Sequence, residues 1–268
     1  MSIFSVKRSL GAFAAALAIS APIAALAPAA SAATAGAESA TAAAKPRANR
    51  LHSMGTLPDL GCKPGKGTDV ESAKRHFKAL GSCVDRAWAK VFKAAGMRYR
   101  PAKLHIVTKP VKTECGSWEK GLVFRYCAGA DTIHVLVRED TLDSNPLFDS
   151  FTLAATYAYH VQELAKIEKT YPEPKAKKAA AEWSRRYELQ GQCLAGAFFG
   201  SARKGLGVSD SAWRRLRTEM GSTGDDHHGG DTYGKSKSIK LWMNRGFHAK
   251  SPKACDTWSA PSVQVASH

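Results

Sequence analysis

Six cysteines constrain the fold of this chain more than any other feature of its sequence. They are Cys62, Cys83, Cys115, Cys127, Cys193 and Cys255. No two are spaced as C-x-x-C, the spacing typical of a cysteine-ligated metal site, so disulfides are favoured over a metal. Sequence alone does not choose among the possible pairings. Proximity along the chain favours Cys115 with Cys127 and Cys62 with Cys83, which leaves Cys193 with Cys255.

The N-terminus explains why disulfides are expected, because they form in oxidising compartments. Lys7 and Arg8 precede an Ala-rich apolar run from Leu10 to Leu26, and Ala30-Ser31-Ala32 offers small residues for signal peptidase. We therefore predict a signal peptide over residues 1–32 and a secreted or cell-surface protein. The alternative is an uncleaved N-terminal anchor. After cleavage we expect no membrane span.

The next segment, residues 33–49, consists mostly of Ala, Thr, Ser and Glu without an apolar period. Such a composition buries too little apolar surface to fold, so it predicts a flexible linker. The remaining residues, 50–268, suit a single folded domain.

The chain is strongly basic, with 39 Lys and Arg against 23 Asp and Glu. Removal of residues 1–32 takes away Lys7 and Arg8 and no acid, which leaves 37 − 23 = +14. A secreted protein of this charge is expected to adhere to polyanionic surfaces. No basic run is interleaved with aromatic residues, so specific nucleic-acid recognition is not predicted.

The hydrophobic pattern places strands before most of the helices. A helix is predicted from Asp69 to Gly96, because apolar residues recur at steps of three and four. Three short apolar segments, 104–107, 122–126 and 133–137, predict a small, mostly antiparallel sheet. Helices are then predicted over 148–165, 179–203, 209–221 and 236–248. This order predicts an α+β fold.

Several short sequence motifs are spread across the predicted domain, and their order along the chain is informative. They are Cys83-Val84-Asp85-Arg86-Ala87-Trp88, Tyr126-Cys127 with Ala130-Asp131, Glu188-Leu189-Gln190-Gly191-Gln192-Cys193 with Ala195-Gly196, Gly224-Asp225-Asp226, Trp242, Arg245-Gly246-Phe247 and Ala254-Cys255-Asp256-Thr257. From about Leu57 to Trp258 the chain resembles the bacterial neutral zinc metallopeptidases. The resemblance implies a disulfide-stapled zincin-like fold and, in active members, zinc bound through an H-E-x-x-H helix.

The zinc-binding positions of that family are occupied here by other residues. Where the family has H-E-x-x-H, this chain reads A-T-Y-A-Y over residues 155–159. The resemblance places Ala155 and Tyr159 at the two histidines and Thr156 at the general-base glutamate. It places Glu188 at the third ligand and Tyr233 at a histidine expected to stabilise the transition state. One carboxylate is too few for a zinc site, which uses at least three protein ligands.

Other residues could in principle replace the missing ligands. His160 adjoins Tyr159 but points about 100° away around the helix, so a packing or hydrogen-bonding role is favoured. His227 and His228 lie in a glycine-rich loop, where adjacent histidines rarely converge on one ion. If no metal is bound, a buried Glu188 needs a partner, and we predict a hydrogen bond from Tyr159.

The function expected from this sequence is binding rather than hydrolysis. We expect a catalytically inactive pseudopeptidase without a cofactor, which holds a peptide or a cell-envelope component in a binding or regulatory role. The alternative is an active zinc metallopeptidase that uses His160, Glu188 and the His227-His228 pair as ligands.

Overall fold

The computed structural model describes residues 48–142 and 145–268. The predicted signal peptide, residues 1–32, and all but the last two residues of the predicted linker lie outside the described residues. The folded part includes Asn49, whose side chain is buried and donates hydrogen bonds to Ala165 O and Thr170 Oγ1. Within the described residues no helix is long and apolar enough to cross a membrane.

Over the described residues the fold is α+β, with three short strands after the first helix and six helices after the strands. The helices are α1 (Val70–Ala94), α2 (Pro146–Leu164), α3 (Ile167–Thr170), α4 (Lys177–Ser201), α5 (Asp210–Gly221), α6 (Asp225–His228) and α7 (Ser236–Ala249). The strands are β1 (Lys103–Val107), β2 (Phe124–Cys127) and β3 (Thr132–Leu136). Short 3-10 turns occur at Arg50–Ser53, Glu139–Thr141, Pro252–Cys255 and Ser262–Val265.

The sheet is mixed, whereas the sequence pattern indicated a mostly antiparallel one. Its strand order is β1-β3-β2. β2 and β3 form an antiparallel hairpin, but β1 pairs with β3 in parallel. The 16 residues between β1 and β2 carry the chain past the position of β3, and β2 then returns it so that β3 lies parallel to β1. A hydrophobic pattern cannot reveal which strands become neighbours.

Capping residues fix where the two helices that flank the sheet begin. Asp69 accepts a hydrogen bond from Ser72 N at 2.9 Å and so caps α1. Asn145 caps α2 through Leu147 N, and Pro146 occupies its first turn, where no N–H is needed.

Helices α2 and α4 form the centre of the core. Every residue of α2 from Asp149 to Gln162 is buried, as is every residue of α4 from Tyr187 to Ser201. A helix that is buried on all sides cannot present an open face, so polar side chains on these two helices must find partners within the protein.

The six cysteines form three disulfides. The pairs are Cys62–Cys83, Cys115–Cys127 and Cys193–Cys255, with Cα–Cα distances of 6.0, 5.5 and 5.4 Å. They tie the segment before α1 to that helix, the loop after β1 to β2, and α4 to the C-terminal region. These are the pairs expected from the sequence, where Cys193 and Cys255 remained after the other two pairs.

Candidate functional site

Tyr159 of α2 and Glu188 of α4 meet where the two helices pack together. The Tyr159 hydroxyl donates a hydrogen bond to Glu188 Oε2 at 2.5 Å. Both side chains are buried, with 3 % and 8 % of their surface exposed. The predicted contact is therefore present, and it satisfies a carboxylate oxygen that has little access to water.

The phenol of Tyr159 is held in its neutral form. Burial raises its pKa well above the ordinary value, and the negative charge of Glu188 and the hydrogen bond to it add to this shift, with smaller contributions from Tyr233 and Tyr187. The ring also stacks on Tyr187 with a centroid distance of 5.8 Å. A neutral phenol acts as a hydrogen-bond donor here rather than as an anionic metal ligand.

Replacement of Tyr159 by phenylalanine tests this role. Tyr159→Phe keeps the ring but removes the donor to a buried carboxylate, so we expect the free energy of unfolding to fall by about 1–3 kcal/mol. Urea denaturation at pH 7 measures the change. Because the raised pKa belongs to the folded state, the contribution is fully present below the unfolded pKa of about 10 and is lost only at higher pH.

A double-mutant cycle with Glu188→Gln isolates the pair from other effects of either substitution. A coupling energy near zero between the two positions would contradict the assigned hydrogen bond.

The two residues one turn before Tyr159 offer no metal ligand or base. Ala155 is buried and carries no ligating atom. Thr156 is also buried, and its hydroxyl donates to Thr152 O in its own helix at 2.8 Å. Its proton is thus used to satisfy a backbone carbonyl, and a threonine hydroxyl is in any case too weakly acidic for general-base work.

His160 lies in a polar cluster beside the sheet. Its Nε2 is 2.6 Å from Arg100 O and its Nδ1 is 3.1 Å from the Tyr126 hydroxyl. Asp131 Oδ1 lies 3.4 Å from the same Nδ1. Both ring nitrogens therefore have protein partners, and the histidine is fully buried. The hydrogen-bonding role favoured by the sequence matches this environment.

The Gly224-Asp225-Asp226 segment organises the backbone around Tyr233. Asp225 is buried, and its carboxylate accepts hydrogen bonds from the backbone N–H groups of Tyr233 and Gly234 at 2.7–3.1 Å. The next residues, His227 and His228, are exposed on the one-turn helix α6. In this chain Asp225, a residue of the family signature, therefore holds the loop that contains Tyr233 and Gly234 in place.

The donors at the family's zinc position do not fit a zinc ion. Of the residues assigned to it by resemblance, Glu188 alone carries a good ligand atom, and that carboxylate accepts the hydrogen bond of Tyr159. Among the described residues, His160, Glu188, His227 and His228 supply no group of three ligand atoms close enough for one ion. The single such group there is His105, Glu114 and His134, on the sheet.

Sequence reasoning did not identify the His105–Glu114–His134 group. His105 and His134 lie directly opposite each other on β1 and β3. Their alternation with apolar residues indicates that each lies on one face of a strand, but the pattern does not say that these two strands are neighbours. The parallel pairing of β1 with β3 is what brings them together.

A groove lies beside the first turn of α2. Its volume is about 800 Å³, and Tyr159 and Glu188 are not among the described residues that line it. Its apolar wall consists of Trp118, Leu122, Val123, Phe124, Leu136, Leu142 and Phe148, and His228 lies at its edge. Volumes of this size are common for sites that bind small molecules or short peptide segments.

Comparison with known proteins identifies the family. Residues 61–258 match the family model described as “Putative neutral zinc metallopeptidase”. Uncharacterized protein YpfJ of Escherichia coli K12 is 24% identical over 208 residues, which cover 70% of this chain and 72% of that protein. Uncharacterized protein Rv2575 of Mycobacterium tuberculosis H37Rv is 25% identical over 212 residues, 69% of this chain and 70% of its own. No solved structure matches. Since the family model covers well over half of the 268 residues, this chain belongs to the neutral zinc metallopeptidase family.

Proposed function

We propose that this protein is an exported member of its family that binds peptides or a cell-envelope component without hydrolysing them. The observation that carries the proposal is the Tyr159–Glu188 hydrogen bond, which uses the one remaining ligand position of the family's zinc site. The protein is then a pseudopeptidase, in which a tyrosine stabilises a carboxylate that a metal holds in active relatives.

The chemistry of peptide hydrolysis supports this assignment. A zincin needs protein ligands that hold the ion, an open position for water and a base that removes the proton of that water. In this chain Ala155 has no atom that could bind a metal, and the Thr156 hydroxyl donates a hydrogen bond to the backbone carbonyl of Thr152 in its own helix. The neutral Tyr159 hydroxyl donates a hydrogen bond to Glu188 and offers no anionic oxygen to a metal.

Export is supported by the three disulfides, because such bonds persist in oxidising compartments. We propose that residues 1–32 are the signal peptide and that the mature protein starts near Ala33. Its charge of 37 − 23 = +14 favours retention at anionic envelope polymers.

The groove beside α2 is the proposed binding surface. Its lining combines aromatic and aliphatic side chains with a few polar groups, among them Arg138, Asp140 and Asp149. Such a surface suits the apolar side chains of an extended peptide. Peptides are the substrate class of the metallopeptidase family. The nearest residue of α2, Phe148, is partly buried and therefore offers surface to a ligand.

Peptide binding without cleavage is the expected result. Labelled, unstructured peptides rich in Leu and Phe are titrated with purified protein, with fluorescence anisotropy for binding and mass spectrometry for cleavage. Phe148→Ser should weaken binding about tenfold, since it removes a side chain worth roughly 1–2 kcal/mol of apolar burial. The matched control is Val263→Ser, an apolar residue that is 70 % exposed in the C-terminal 3-10 turn.

The variant Ala155→His/Thr156→Glu/Tyr159→His serves as the positive control for the cleavage assay. It should bind one zinc more per chain than the wild type, because the two introduced histidines and Glu188 then supply three protein ligands. Chelator-sensitive cleavage by the wild-type protein would instead contradict the proposal and mean that this chain is an active metallopeptidase.

A further inference from the structure

We propose that His105, Glu114 and His134 form a binding site for one zinc-class transition-metal ion on the sheet. One ligand atom from each side chain lies within 4.8 Å of the others. The site shares no residue with the Tyr159–Glu188 pair and does not depend on the proposed peptide-binding role.

The two histidines are placed by strand register. His105 of β1 pairs directly with His134 of β3. Residues directly opposite each other on neighbouring strands point to the same face of a sheet, so both rings lie on one side, with centroids 5.2 Å apart. The adjacent residues Ile133 and Val135 point the other way, into the core. The backbone pairing thus places both imidazoles on the same face of the sheet before any ion binds.

The carboxylate is supplied by a loop that is tied to β2. Glu114 lies between Thr113, which exchanges backbone hydrogen bonds with Gly116, and Cys115, which is disulfide-bonded to Cys127. The buried Arg125 donates further hydrogen bonds to carbonyl groups of the same loop, the shortest of them 2.7 Å to Ser117 O. These links hold Glu114 over the sheet, which lowers the entropic cost of binding an ion.

Glu114 and His134 are already in contact. The distance from His134 Nε2 to Glu114 Oε2 is 2.8 Å. The pKa of Glu114 lies below its usual value. The larger cause is a hydrogen bond from its own backbone N–H to the carboxylate, and the next is the hydrogen bond with the His134 ring. Nδ1 of His134 is buried without a hydrogen-bond partner among the described residues. Among the described residues, Glu114 is therefore the hydrogen-bond partner of the His134 ring.

The spacing is close to what a tetrahedral ion requires. Zinc bonds of about 2.0–2.1 Å to nitrogen and oxygen place neighbouring ligand atoms about 3.4 Å apart. The ligand atoms here span separations from 2.8 to at most 4.8 Å. Because His105 and Glu114 are exposed, rotation of their side chains can bring the three atoms to the required distances.

The chemistry of the three donors selects the kind of ion. Two imidazoles with one carboxylate suit zinc and its neighbours nickel, cobalt and copper, whereas calcium and magnesium prefer oxygen ligands alone. The group opens into a surface depression of about 480 Å³ that is also lined by Lys112 and Thr113. The fourth position would therefore be filled by water or by a donor atom of a partner molecule.

Zinc titration of the full, mature protein after chelator treatment tests the site. Isothermal titration calorimetry should give one zinc per chain for the wild type. Glu114→Ala and His105→Ala should each weaken binding about a hundredfold or more, since even loss of an outer-shell partner costs 10–100-fold. Both side chains are exposed, so the variants should retain the near-UV circular dichroism of the wild type.

Two control variants separate this site from others. Glu188→Gln removes the one remaining ligand of the family's position, and His248→Asn removes an exposed histidine on α7; both should bind zinc as the wild type does. The proposal would be overturned by wild-type protein that binds no zinc, or by Glu114→Ala and His105→Ala variants that bind zinc as tightly as the wild type. Loss of zinc in Glu188→Gln would place the ion between α2 and α4, which would contradict both this site and the proposed function.

Discussion

Replacement of Gly200 by alanine should destabilise the protein by about 3 kcal/mol or more, at the upper end of what overpacking costs. A Cβ atom at Gly200 of α4 would lie 1.9 Å from the backbone oxygen of Phe247 in α7. No rotation of a side chain relieves a clash between two backbones, so the helices must move apart. Urea denaturation of the purified protein, monitored by tryptophan fluorescence, measures the loss.

A second glycine of the same helix provides the control. At Gly191 the atoms nearest to an added Cβ are side-chain atoms of Gln162 and Tyr159 at 3.8 Å, an ordinary contact. Gly191→Ala should therefore leave stability unchanged or raise it by up to about 1 kcal/mol through helix propensity. Equal effects of the two substitutions would show that the close approach of α4 and α7 does not limit packing.

Two further glycines show that both helices, α4 and α7, use glycine to let the other backbone approach closely. An added Cβ at Gly246 of α7 would lie 1.9 Å from Cys193 O, and one at Gly196 of α4 would lie 2.3 Å from Met243 O. Both glycines belong to motifs on which the family resemblance rests. These parts of the signature therefore specify how closely two helices pack and do not themselves contribute to a metal site.

Removal of the Cys193–Cys255 disulfide should have the largest effect of any cysteine change. In the chain-entropy account, a bond that spans 62 residues stabilises the folded state by about 4 kcal/mol. The double variant Cys193→Ala/Cys255→Ala avoids a free thiol and should lower the free energy of unfolding by that amount. Thermal unfolding followed by calorimetry would record the change as a lower melting temperature.

The matched comparison is Cys115→Ala/Cys127→Ala, whose bond spans 12 residues. The shorter loop constrains the unfolded chain less, so the expected loss is about 3 kcal/mol. A larger loss from this pair than from Cys193→Ala/Cys255→Ala would mean that native-state contacts, rather than loop length, determine the effect.

The sequence predicts the local elements and one long-range contact well. The start of α1 follows from the capping residue Asp69, whereas α2 begins at Pro146, two residues before the predicted Phe148. The Tyr159–Glu188 hydrogen bond follows from the need of a buried carboxylate for a partner. The parallel pairing of β1 with β3 does not follow, because alternation within a strand says nothing about its neighbour. The His105–His134 pair and the contacts of His160 with Arg100 O depend on such non-local arrangements.

The buried phenol–carboxylate contact also limits how this chain could change by single substitutions. A histidine placed alone at Tyr159 would remove the hydroxyl that donates to Glu188, while Ala155 still offered no ligand. A histidine or glutamate placed alone at Ala155 or Thr156 would introduce a larger polar group into a fully packed helix without a metal to bind it. Each of these single substitutions is therefore expected to lower stability without completing the three protein ligands of a zinc site.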